Sequence, residues 1–314
     1  MLGLANSWQR GFPLTPRPFA QIAHQAGITE ADVLQRFMRL KEAGVIDRVG
    51  PVFRPNTVGA SMLAAMAVPP KRLEAVAGFV SDEPAVNHNY EREHSINLWF
   101  VVTAATEADV EGALSRIEQA TGLEVLRLPL LEEFHIDLGF DLDTRVVPRA
   151  SSHGPFPELS PLERNLVGAV AGGLPLVPAP YESLARSIGS SESAVIALLE
   201  GMLADGRIRR IGAVIRHRRV GYDANAMVVW DVADELASEL GRRLAQDPAV
   251  TLCYCRARVL PQWPYNLYCM VHGRSRSRVL YEVKRAAAVH GLARFRRIVL
   301  FSRRCFAQRA ARYG

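Results

Sequence analysis

The sequence predicts an α+β protein made by tandem duplication, each copy a helical triplet followed by a β-α-β-β-α-β unit. Two observations carry this. Residues 11–60 and 173–222 align without a gap at a constant offset of 162, with glycines matched at Gly11/Gly173, Gly27/Gly189, Gly44/Gly206, Gly50/Gly212 and Gly59/Gly221. That offset is far longer than a solenoid repeat, so it marks a domain pair. Beyond each triplet the apolar residues then switch to alternation, at the same place in both copies.

The elements follow in order. In copy two, Ser160 with Glu163 is a capping box, residues 181–187 form a short helix ended at Gly189, and residues 191–204 form a third helix stopped by Gly206. Helix, short helix, Gly turn and helix make a helix-turn-helix order. Copy one repeats it with Thr29 as the cap, and its first helix is clipped because the counterpart of Ser160 would precede Met1. Alternation at 45–49 and 207–211 predicts strands, each folding back as a β-ribbon on 50–54 and 212–216. Strand 60–68, helix 71–81, strands 85–93 and 96–103, helix 107–120 and strand 124–131 complete copy one. Copy two gives 224–232, 234–246, 249–258, 265–272, 276–289 and 294–301, the ferredoxin-like order. The expected domains are a helix-turn-helix at 1–58, a ferredoxin-like domain at 59–144, a Pro/Ser/Gly-rich linker at 145–158, and the second pair at 159–220 and 221–314.

With 49% hydrophobic and 22% charged residues, the chain has apolar material for two compact cores. No apolar run approaches the ~18 residues of a membrane span. The first twelve residues lack a secretory pattern, which places the chain in the cytoplasm. Cys253, Cys255, Cys269 and Cys305 match neither a disulfide framework nor zinc-finger spacing. Residues 1–150 hold 14 basic against 19 acidic side chains, and residues 151–314 hold 24 against 13. A basic half calls for an anionic partner, and an acidic half beside it favours docking one on the other. Arg294, Arg296, Arg297, Arg303, Arg304, Arg309 and Arg312 gather at the end of copy two, as a polycarboxylate or polyphosphate site would require.

A helix-turn-helix joined to such a sandwich resembles the Lrp/AsnC transcription regulators over nearly the whole chain. DNA binding is not expected. The third helix of copy two, within 190–205, carries no Lys or Arg, and that of copy one opens with Glu30 and Asp32 where a phosphate would approach. A regulator sensing haem or an amino acid stays open as an alternative.

The copies diverge most on the second sandwich strand. Alternation sends His88, Tyr90, Arg92 and His94 to one face in copy one, and Leu252, Tyr254, Arg256 and Arg258 to the matching face in copy two. Tyr-x-Arg is shared, while histidines stand only in copy one. The next strands begin Asn97-Leu98-Trp99 and Asn266-Leu267-Tyr268; the preceding loop is longer in copy two and carries Trp263 and Tyr265, aromatics suited to covering a flat ligand.

HNYERE (88–93) followed by NLWFV (97–101), and CYCRAR (253–258) followed by WPYNLYCMVHG (263–273), resemble the paired subunits of siroheme decarboxylase, here on one chain. Cys255 between Tyr254 and Arg256 departs from the pattern. The resemblance implies loss of carbon dioxide from the C12 and C18 acetate arms of siroheme, giving 12,18-didecarboxysiroheme on routes to d1-type or other haem. It implies His88 as first catalytic residue, His94 second, with Tyr90 beside them. Arg92, Arg256, Arg258, Tyr254, Trp263, Asn97, Asn266, His272, Arg303 and Arg304 are the substrate-binding candidates. No cofactor or metal of the protein's own is expected, because the iron belongs to the substrate; His88 or His94 is a candidate axial ligand to it. A histidine titrating near neutrality is expected to supply the protons. Arg256→Ala is expected mainly to weaken binding. His24, His153, His217 and His290 read as surface or structural, and His135 is undecided. A homodimer of fused chains paired through their sheets, homologous decarboxylase subunits as further partners, and a non-catalytic tetrapyrrole carrier complete the expectations.

Overall fold

The computed structural model describes residues 2–136, 139, 156–311 and 313. Copy one runs α1 (Leu2–Ser7), α2 (Pro18–Ala26), α3 (Glu30–Glu42), β1 (Ile46–Phe53), β2 (Ala60–Met66), α4 (Leu73–Asp82), β3 (Val86–Arg92), β4 (Leu98–Ala104), α5 (Glu107–Thr121), β5 (Leu126–Leu128) and β6 (Leu130–Ile136). Copy two runs α6 (Pro161–Val170), α7 (Pro180–Ser187), α8 (Glu192–Ala204), β7 (Ile208–Ile215), β8 (Ala224–Trp230), α9 (Asp234–Leu244), β9 (Val250–Arg256), β10 (Leu267–Gly273), α10 (Arg276–Val289) and β11 (Arg297–Gln308). The local signals act as read. Thr29 and Ser160 head reciprocal capping boxes with Asp32 and Glu163, and Gly27 ends α2 in the left-handed conformation.

Two expectations need correction. The segments around Gly50 and Gly212 are not hairpins: β1 and β7 each run straight through and pair antiparallel with each other, Gly50 opposite Gly212. Those glycines serve close approach rather than a turn, since a Cβ at Gly212 would lie 2.4 Å from the Gln9 carbonyl carbon, and one at Gly50 would lie 3.1 Å from Gly173 Cα. The final strands are also longer than predicted, because each leaves its own copy. β11 pairs with β8 over 297–301 and with β3 over 302–308. Likewise β5 pairs with β2, and β6 pairs with β9 of copy two.

The nine strands are ordered β5-β2-β4-β3-β11-β8-β10-β9-β6. Only Pro129 separates β5 from β6, so the two ends of the sheet meet on one stretch of chain and the sheet closes. Inside the closure Trp99, Trp263, Tyr268, Met227 and Leu300 form an apolar core. Outside it, each half packs its own helices, Val76, Val80 and Leu114 in copy one and Leu240, Val279 and Val283 in copy two. The triplets share a further core in which Phe19 and Phe37 join Leu166, Tyr181 and Leu199. Two separate cores were expected; the copies instead share two of four. The sheet-to-sheet pairing expected between two chains is likewise made within one. Among the described residues, no helix is long and apolar enough to cross a membrane.

Candidate active site

β3 alternates as its sequence requires. Asn89 donates to the Ala77 carbonyl and Ser81 hydroxyl of α4, while His88 and Tyr90 sit together on the other face, ring centroids 6.2 Å apart. A register shift between Val86 and His88 lets Asn87 Nδ2 donate to Thr103 Oγ1 at 3.0 Å. That orients the Asn87 amide oxygen toward His88 Nδ1, 3.1 Å away. His88 Nδ1 then carries the proton in the neutral ring, and Nε2 holds the lone pair.

Three elements of copy two complete the cluster. Cys305 of β11 stands opposite Tyr90 in register. Arg218, in the turn His217–Val220 after β7, lies 5.9 Å from the Tyr90 ring centroid; Arg92 lies 5.8 Å from it. Arg92 Nη1 donates to the Leu300 carbonyl at 3.1 Å and to Ser302 Oγ at 3.0 Å. Arg92 Nε, and Nε and Nη2 of Arg218, are buried donors with no partner, and neither guanidinium has an ion pair among the described residues. Beside them Arg216 and Arg48 share the carboxylate of Asp47 at 2.6 and 2.8 Å. Burial raises the Asp47 pKa, but these two arginines outweigh it and hold the group below the usual carboxylate range.

Burial likewise sets the other charges. It lowers Arg92 to about 10, so the guanidinium stays charged at neutral pH. It lowers His88 to about 4, against a partial opposing pull from Asp47. His88 is therefore neutral in the free protein, which corrects the expectation of titration near neutrality. The consequence for stability has a definite sign: the unfolded chain takes up this proton near pH 6.5, whereas the folded chain waits until about 4. Stability conferred at pH 7 is thus lost as pH falls through that window, by about 2 kcal/mol at pH 5. Urea unfolding at pH 7 and pH 5 checks this; His88→Gln should flatten the difference, and an unchanged difference would refute the assignment.

Other candidates are placed elsewhere. His94 lies past the end of β3, accepts the Ile96 N–H at Nδ1 (3.0 Å) and meets Trp263 edge-on at 5.5 Å, so it does not share the His88 face. Trp263 is 1% exposed, packs on Trp99 and Tyr265, and donates to the Tyr268 hydroxyl at 2.7 Å; it is core, not a ligand cover. Asn97 and Asn266 clamp the backbone at Val68 and Val232, each donating to one carbonyl and accepting one N–H. Arg258 is held by Asp231, Asp234 and the Pro264 carbonyl. Arg303 and Arg304 face Glu91, Glu93 and Glu74. His272 bonds Thr251 at 2.9 Å. The arginines at the end of copy two do not form one surface: Arg309 binds the carbonyls of Ser81, Glu83 and Val86, Arg294 lies over Phe295, and Arg312 falls outside the described residues. Tyr254 and Arg256 form a second cluster, the guanidinium 4.7 Å from the ring centroid and donating to the Leu128 carbonyl at 2.6 Å.

Among the remaining histidines, His24 is exposed, His290 bonds Asp247 at 2.9 Å, and His135 is buried in β6 opposite Cys253. His153 and the His217 side chain fall outside the described residues. Cys253, Cys255 and Cys269 sit in the apolar layer beneath α9 and α10.

Residues 58–135 and 219–307 match the AsnC-like ligand binding domain, and residues 4–46 and 163–209 match the siroheme decarboxylase NirDL-like HTH domain. The chain is 43% identical to the siroheme decarboxylase NirDL subunit of Paracoccus denitrificans (strain Pd 1222), over 99% of this chain and 96% of that one. It belongs to the siroheme decarboxylase family. The resemblance read from the Tyr-x-Arg strands therefore holds, as does the Lrp/AsnC-like fold. A crystal structure of the siroheme decarboxylase NirDL in complex with an iron-uroporphyrin III analogue superposes with a TM-score of 0.70 at 27% identity, covering 99% of this chain and 93% of that one. The NirD subunit of Pseudomonas aeruginosa is half as long and 47% identical over 45% of this chain and 93% of its own length. In this siroheme decarboxylase family member, Arg216 and Arg218 escaped the sequence reading. Their signal was the Arg216-His217-Arg218-Arg219 run, which only the pairing of β1 with β7 brings toward β3.

Proposed function

We propose that the chain decarboxylates siroheme at the C12 and C18 acetate arms, giving 12,18-didecarboxysiroheme, with no cofactor beyond the iron the substrate carries. The observation that supports this is the half-buried seam where His88 and Tyr90 meet two guanidinium groups, Arg92 and Arg218, that no protein carboxylate neutralises among the described residues. Such forks suit a polycarboxylate.

Each step turns an acetate arm and one proton into a methyl group and carbon dioxide. As the carbon–carbon bond breaks, its electron pair passes into the ring, whose neighbouring carbon has taken a proton. The exocyclic methylene then gains a proton as the ring loses its own, so one proton is consumed per carbon dioxide released. His88 is the group to carry it. Neutral in the free protein, it gains basicity when substrate carboxylates approach, so the proton enters together with the substrate. Arg92 and Arg218 hold the arms that do not react, and Tyr90 braces both guanidinium groups with its ring. His94, against Trp263, lies outside the seam.

Anaerobic incubation of the purified chain with siroheme, followed by mass spectrometry, tests the reading. The expected product has lost about 44 mass units twice. Bound siroheme of unchanged mass would identify a carrier instead.

A further inference from the structure

The two copies offer two equivalent seams, and only one is open. The 162-residue offset and the β1–β7 register set Arg54 at the counterpart of Arg216, and Arg209 at that of Asp47. Leu252, Tyr254 and Arg256 take the places of His88, Tyr90 and Arg92. Cys305 faces Tyr90 across the strands, and at the matching position Glu133 faces Tyr254.

That one exchange changes the chemistry. The Glu133 carboxylate is ion-paired to Arg209, whose side chain is 2% exposed, and lies 3.5 Å from Arg54, 12% exposed. The counterpart Arg216 is 33% exposed. Phe156 lies beneath the Arg54 guanidinium at 5.6 Å, and the backbone at Gly139 sits so close to Arg210 that a Cβ there would fall 2.6 Å from Nε. The second seam thus carries a carboxylate of the chain itself on Arg209 and Arg54, and an aliphatic side chain where the histidine would stand.

We propose that each chain has a single working site, at the copy-one seam, and that Glu133 occupies the copy-two seam as a built-in stand-in for a substrate carboxylate. This rests on the decarboxylase reading and adds its stoichiometry. Titrating the full-length protein with iron uroporphyrin III and following the absorbance should reach saturation at one equivalent per chain. Two equivalents overturn the proposal and leave the decarboxylase reading intact; no binding at all removes that reading, and this proposal with it.

A second measurement probes Glu133 directly. Glu133→Ala strands Arg209 and Arg54, so the melting temperature should fall by about 10 °C. Acetate, which fits the vacated carboxylate position, should restore part of that loss in the variant and leave the wild type unmoved. A variant that melts low and ignores acetate would make Glu133 an ordinary ion-pair partner and refute its role as a stand-in. If Glu133→Ala does not fold, the wild-type stoichiometry still decides.

Discussion

Replacing His88 by alanine should lower kcat for siroheme decarboxylation by about 10²–10⁴-fold, the usual contribution of a positioned acid or base. The reasoning starts from the Thr103–Asn87–His88 chain of hydrogen bonds, which fixes the ring and leaves Nε2 to act. Glutamine at the same position preserves a hydrogen-bonding shape yet cannot shuttle a proton, so His88→Gln should fall nearly as far. KM should change much less than kcat, since the forks that grip the substrate remain. Steady-state kinetics on both variants decides the matter: turnover within about threefold of wild type in either would remove His88 from the chemistry. His94→Ala is the informative companion. Its ring meets Trp263 and an Ile96 N–H, so its loss belongs to packing at the β3–β4 turn.

The second large effect concerns the guanidinium groups on either side of Tyr90. Arg218→Gln should raise KM by about 10–100-fold with kcat nearly kept, because a charge-assisted hydrogen bond to a carboxylate is worth about 1.5–3 kcal/mol. Arg92→Gln should do at least as much, and it also releases the Leu300 carbonyl and Ser302, so some stability goes with it. Arg92→Lys should recover little, since an ammonium cannot make the planar fork. Because both groups brace one ring, their effects should couple in a double-mutant cycle. A pair of additive variants, or an Arg218→Gln enzyme with unaltered KM, would show that the seam does not hold the carboxylates.

The outline of the molecule was legible because its signals are local. Capping at Thr29 and Ser160, left-handed glycines and the switch from helical to alternating patterning each report on a few adjacent residues. The Tyr-x-Arg strands were legible for the same reason, as period-two alternation puts Tyr90 and His88 on one face. What escaped was whatever depends on the partner across a strand. Nothing local says that β11 crosses to β3, so nothing local sets Cys305 against Tyr90 or gives Glu91 to Arg304. Arg303, Arg304 and Arg258 looked like free charge for the same reason; their acids lie on other elements. Trp263 looked like a lid because a hairpin tip is normally exposed, yet the closed sheet folds that loop into its interior. His88 stands on the face that alternation gave it and lost its ordinary acidity, since burial is a property of the assembled fold.

The crossing of the last strands bears on why the two copies share one chain. β6 and β11 each complete the other copy's sheet, so either copy alone would leave a strand edge unmet and its half of the aromatic core bare. Two unlike halves with such edges face a choice of mates: His88 and Glu133 both lie in copy one, so a pair of first copies would set Glu133 opposite Tyr90 in both seams, and a pair of second copies would have no histidine strand at all. A covalent tether settles the choice. At the roughly millimolar effective concentration that a short linker provides, each half meets its unlike sibling before it meets a stranger. Fusion here acts as a selection rule for mixed pairing: every barrel that forms has one histidine and one plug, in equal number.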